Sequence, residues 1–70
     1  MMTLTFNTTT KEVKITESNV IIKMFSNVPT VKPAEGYYEV LQEEQDLVHG
    51  KQRFPVARLP IANTIMFIEK

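Results

Sequence analysis

Seventy residues with eight basic and eight acidic side chains, 43% hydrophobic content and no cysteine leave room for one small domain, residues 1–70. A chain of about 60 residues buries only about 60% of the surface its unfolded form exposes, so a core this small needs support. Disulfides are excluded, and the single histidine, His49, rules out a zinc site. Oligomerisation or docking on a larger partner is the support that remains.

The chain is rich in β-formers, with 21 Val, Ile and Thr residues among the 70. Thr3-Leu4-Thr5-Phe6 alternates polar and apolar and places Leu4 and Phe6 on one face. Lys11 to Thr16 repeats the pattern with Val13 and Ile15 inward, and Asn7-Thr8-Thr9-Thr10 is short enough for a hairpin loop. Asn19 to Phe25 reads as a third strand of an antiparallel meander. Ser26 to Gly36 reads as a loop or irregular edge, because Pro29 and Pro33 lack the amide proton that a ladder needs.

Residues 37–49 carry two patterns. Tyr37-Tyr38-Glu39-Val40-Leu41 has the composition of a strand, whereas Val40, Leu41, Glu44, Leu47 and Val48 fit a helical stripe ending near Gly50. Phe54 to Leu59 is an extended stretch with a proline near its start, and Pro60 to Asn63 makes a turn. Thr64 to Ile68 closes the sheet and is apolar on both faces, a pattern of burial on both sides. The expected fold is all-β: a small antiparallel five-stranded barrel (SH3-like) or a bent sheet. The alternative is α+β, with one helix at 37–49 on a four-stranded sheet.

The longest aliphatic or aromatic run, Ile65 to Ile68, is far below the roughly 20 residues of a membrane span, so no membrane partner is expected. Met1 to Asn7 has no basic start and no long apolar core, and the absence of cysteine agrees with a cytoplasmic setting. Asn7-Thr8-Thr9 fits the glycosylation acceptor pattern by chance.

Groups for catalysis are sparse. Ser18 and Ser26 are far from His49 in sequence and lack a nucleophile turn. Glu43, Glu44 and Asp46 read as a solvated face, and two glycines cannot build a phosphate-cradling loop. No catalytic residue, metal ligand or cofactor is expected. The leading expectation is a non-catalytic protein-interaction module, such as an accessory subunit, adaptor or inhibitor, with a homodimer as one form of the partnership. Its expected partner-binding residues are Tyr37, Gln52, Arg53, Arg58, Met66 and Ile68.

The second expectation is a nucleic-acid-binding barrel using Arg53, Arg58, Lys32 and Lys51 beside an exposed Tyr37, against which the zero net charge weighs. Tyr37 and Tyr38 point to opposite faces of a strand, so one is structural and the other free for recognition.

Ala34-Glu35-Gly36-Tyr37 and Gln52 with Phe54-Pro55-Val56-Ala57 resemble pieces of the plasmid-encoded type II dihydrofolate reductases, over about a third of the chain. The resemblance implies an SH3-like barrel that assembles as a tetramer around a pore lined by a glutamine, an isoleucine and a tyrosine. In this chain the matching stretch is Gln52-Arg53-Phe54, which keeps the glutamine and loses the tyrosine hydroxyl. An oligomeric enzyme with Gln52 and Phe54 around a symmetry axis is thus the third expectation. Finally, Ile65 and Phe67 face one way and Met66 and Ile68 the other, and a small fold has one interior to fill. With Pro55 and Pro60 blunting strand edges nearby, face-to-face packing of a symmetric dimer is expected for the uncovered pair.

Overall fold

The alternation Leu4, Phe6, Val13, Ile15 produces the first hairpin, β1 (Met2–Asn7) and β2 (Glu12–Glu17), in a computed structural model that describes residues Met1–Lys70. Phe6 lies opposite Val13 and Leu4 opposite Ile15, and all four are buried. Asn7 closes the loop: its Oδ1 accepts the amides of Thr9 and Thr10 at 2.9 Å, and Lys11 N donates to its carbonyl at 2.9 Å. Ser18 and Asn19, at φ 52° and 65°, form the two-residue turn into β3 (Val20–Phe25). Two successive left-handed residues match the twist of a tight hairpin.

The stretch 26–36, expected as a loop or irregular edge, holds a buried anchor and an edge strand. Val28 is fully buried, and its amide donates to Lys11 O at 2.8 Å. Thr30–Ala34 forms β4 and pairs with β5 (Tyr37–Asp46) through a turn at Gly36, φ +79°. Pro33 is tolerated because β4 is an edge strand of its sheet.

Residues 37–46 are strand, which removes the helix alternative at 37–49. Helix propensity in Gln42–Gln45 is worth only tenths of a kcal/mol per residue relative to other choices. The β5 residues instead pair over their full length with β6 (Gly50–Pro60), closed by Asp46 and by Gly50 at φ +77°. Leu47 and Val48, which the helical stripe would have buried, stand exposed at the hairpin tip. A register shift between Val40 and Leu41 leaves Val56 as an extra residue on β6 beside Pro55.

Pro60 leads into a single 3₁₀ turn, Ile61–Asn63, anchored where Ile61 N donates to Gly36 O at 3.0 Å. β7 (Thr64–Glu69) then returns to the first sheet and pairs with β1 in parallel, with Leu4 opposite Met66 and Phe6 opposite Ile68. This corrects the purely antiparallel expectation. A strand delivered from another sheet, with no hairpin to set its direction, is free to run parallel.

The fold is all-β, as expected, but it has seven strands rather than five, in two sheets of order β3-β2-β1-β7 and β4-β5-β6. No helix is long and apolar enough to cross a membrane. The sheets do not close into an SH3-like barrel. Pro33, Pro55, Pro60 and the bulge at Val56 sit on the edges of the three-stranded sheet and interrupt the ladder that closure needs. Between the sheets, Leu4, Phe6, Val13 and Ile15 pack with Val28, Val40 and Leu59 as one core cluster.

That core is small for the surface around it. A compact monomer of this mass exposes about 4,500 Å², whereas the chain exposes 4981 Å². Its radius of gyration, 12.4 Å, exceeds the roughly 11 Å of a compact 70-residue domain. Part of the excess is the distal β5–β6 hairpin, which extends past the end of β4.

Candidate interaction surface

The six residues expected to bind a partner fall on three separate surfaces. Tyr37, Arg53 and Arg58 lie on the outer face of the three-stranded sheet, since β5 positions 37, 39 and 43 share one side and Glu39 and Glu43 sit opposite Arg58 and Arg53. Gln52 is opposite Glu44, on the other side of that sheet and out on the distal hairpin. Met66 and Ile68 belong to β7 in the other sheet.

Both arginines are paired. Arg58 Nε donates to Glu39 Oε2 at 3.0 Å, and Arg53 Nε donates to Glu43 Oε1 at 3.4 Å. Lys32 is the register partner of Glu39 on its other side, so Lys32, Glu39 and Arg58 form a charge row across three strands. Exposed pairs of this kind contribute about 0–1 kcal/mol to stability. Their larger effect is to cancel the positive potential that a phosphate backbone would need. Tyr37 remains about half exposed between Ala34 and Pro60, so of the two tyrosines it is the one on the open face, while Tyr38 packs on the core.

Met66 packs against the core cluster from the inner face of β7. Ile68 shares that face but lies at the open end of the strand, and is 60% exposed. Ile65 and Phe67 point outward beside Thr3 and Thr5, with Phe67 54% exposed. On the far edge of the same sheet, Val20, Ile21, Ile22 and Met24 are exposed along β3. Between β3 and β6 a groove of about 270 Å³ is lined by Met2, Ile15, Ile22, Val56, Ala57 and Leu59, with Lys23 and Arg58 at its rim.

Strand alternation alone misses β3 as an apolar edge, because it assigns one face of that strand to the core. The available signal is Val20-Ile21-Ile22, whose unbroken apolar run serves both faces of an edge strand. The exposed hairpin tip is missed as well, and its signal is Asp46 followed by Gly50, the residues of a turn.

The turn itself is built on Asp46. Its Oδ1 accepts the Val48 amide at 2.7 Å, and its Oδ2 lies 3.2 Å from His49 Nδ1. The Val48 amide first, and the His49 side chain second, hold the Asp46 carboxyl below its ordinary value of 3.8. A depressed carboxylate favours the folded turn above the ordinary value, and that preference is lost as pH falls through the lowered one. The Val48 amide resonance is therefore expected to be steady above pH 3.8 and to move toward its random-coil position below it. In Asp46→Ala this titration should vanish. No serine or further carboxylate bonds to His49, whose side-chain partner is Asp46 alone.

Gln52 and Phe54, the residues that carry the reductase resemblance, lie on the distal hairpin of an open sheet rather than in a closed barrel. No protein-family profile, no curated protein and no solved structure matches this chain.

Proposed function

We propose that the chain is a non-catalytic protein-interaction module, an accessory subunit, adaptor or inhibitor within a larger assembly. The observation that carries this reading is the apolar surface of the four-stranded sheet. Seven hydrophobic side chains are buried, while Val20, Ile21, Ile22, Met24, Ile65, Phe67 and Ile68 are exposed on its two edge strands. The exposed ones form two apolar patches, on opposite edges separated by β2 and β1. Such patches mark interaction sites, and a core of this size gains from a partner that covers one of them.

The test is affinity capture with purified chain, beside sedimentation over a range of concentration. The expected result is a stoichiometric protein partner or self-association, lost or weakened in a Met24→Lys, Phe67→Lys double variant. A chain that is monomeric at high concentration and captures nothing overturns the reading. The paired arginines lead to a second expected outcome, that a labelled oligonucleotide shows no binding even at low salt, where electrostatic affinity is strongest.

A further inference from the structure

The two sheets have four edge strands, and three of them are guarded. β4 carries Pro33 and Lys32. β6 carries Pro55, Pro60 and the bulge at Val56. β3 is interrupted by a register shift that leaves Ile22 unpaired, and its Lys23 lies opposite buried Ile15, a charge on the core side of an edge. Each of these devices opposes the addition of another strand. β7 has such a device only at its last residue, Glu69: Thr64-Ile65-Met66-Phe67-Ile68 contains no proline, bulge or charge and stays in unbroken register with β1.

The backbone groups on its open side are identified by two hydrogen bonds. Thr8 N donates to Glu69 O at 2.9 Å, which turns the polar groups of Glu69 toward β1. Lys11 N donates to Asn7 O, which turns those of Asn7 toward β2 and leaves its even-numbered β1 neighbours facing β7. Peptide groups alternate sides along a strand, so Ile65, Phe67 and Glu69 bond to β1, while Met66 and Ile68 present free N–H and C=O groups at the edge. The N–H of buried Thr64 already donates to Ile61 O in the 3₁₀ turn.

We propose that this edge pairs antiparallel with β7 of a second copy, about a two-fold axis through Met66, to make one continuous eight-stranded sheet. The proposal rests on the interaction-module reading and names its partner. A two-fold normal to the sheet conserves faces, and the register that sets Met66 against Met66 also sets Thr64 against Ile68. Met66 then pairs with Met66 and Ile68 with Thr64, whose own N–H stays on Ile61 O, giving roughly four backbone bonds. The same register places Ile65 of each chain opposite Phe67 of the other, an aliphatic–aromatic pair on the outer face. Glu69 falls opposite Asn63, so no like charges meet.

The area agrees with a dimer. Each chain exposes 4981 Å² against about 4,500 Å² for a compact monomer of its mass. Two copies hold roughly 1,000 Å² of excess, part of it on the distal hairpins, which fits a small, concentration-dependent interface below the roughly 1,200–2,000 Å² of a standard one.

The chain has no cysteine, so an introduced thiol is unique. A hydrogen-bonded antiparallel pair has Cα atoms about 5.5 Å apart, within reach of a disulfide. Oxidised Met66→Cys is expected to run at twice the chain mass, and Met24→Cys, on the guarded β3 edge, at the chain mass. Ile68→Pro removes an edge amide that β1 does not use. It is expected to keep the far-ultraviolet spectrum of the wild type and to sediment as a monomer where the wild type is a dimer. A wild type that dimerises but keeps its dimer in Ile68→Pro, with no cross-link formed by Met66→Cys, overturns the β7 pairing and leaves the interaction-module reading in place. A monomeric wild type whose protein partner is lost in Ile68→Pro overturns the second copy as the occupant. A monomer that captures nothing overturns both.

Discussion

Leu4→Ala is expected to abolish the cooperative thermal transition of this chain. Leu4 is fully buried and sits on β1, the strand paired on both sides, by β2 and by β7. Truncating a buried leucine costs about 3–5 kcal/mol, as lost transfer energy plus the cavity left behind. A core of this size supplies only about 3–5 kcal/mol of net stability, so one substitution consumes nearly all of it. Val20→Ala, on an exposed β3 position, is expected to stay within about 0.5 kcal/mol of the wild type. Circular dichroism melts of the two variants beside the wild type check both statements. A Leu4→Ala chain that melts like the wild type would mean that the core is not where stability resides.

The second large effect separates two adjacent residues. Met66→Lys is expected to unfold the chain, because half-buried Met66 packs on the core cluster and an unpaired ammonium drawn against that cluster is far costlier than the methionine it replaces. Phe67→Lys is expected to leave the fold intact, since Phe67 is on the outer face, opposite Thr5 and largely in solvent. Its effect is on association. Ile65 and Phe67 pair twice across the two-fold, and losing both pairs at about 0.2–1 kcal/mol each weakens the dimer about two- to thirtyfold. Dichroism reads the first effect and sedimentation the second. Equal unfolding in both variants would place both faces of β7 inside one chain.

The contrast shows what local sequence specifies and what it does not. Leu4, Phe6, Val13 and Ile15 alternate cleanly between polar neighbours, so their burial is legible from the residues alone. Met66 and Phe67 are both apolar, and only the parallel register with β1 decides which one faces inward. The 37–49 stretch carries two compatible periods, and the choice is made by a partner strand in β6 and by a turn at its far end. Val28 is buried without any periodic pattern, flanked by Asn27 and Pro29, and held by a hydrogen bond to the distant Lys11.

The candidate surface follows the same division. Tyr37 on an open face is legible from the strand alternation. The pairing of Arg53 and Arg58 with glutamates is not, because it depends on the register of β5 against β6 across a bulge. In sequence, Pro55 and Pro60 stand close enough to the closing strand to guard it, whereas in the fold they protect β6 in the other sheet. With them gone from its edge, β7 is left open, which is why we propose edge addition where the sequence suggested face-to-face packing.

Amide hydrogen exchange along β7, measured residue by residue at high and low protein concentration, tests this account most directly. At low concentration, Ile65, Phe67 and Glu69 should be protected by β1 while Met66 and Ile68 exchange freely. At high concentration, the second set should become protected as well, erasing the alternation. Rapid exchange of Met66 and Ile68 at every concentration, in a wild type that is nonetheless associated, would contradict it.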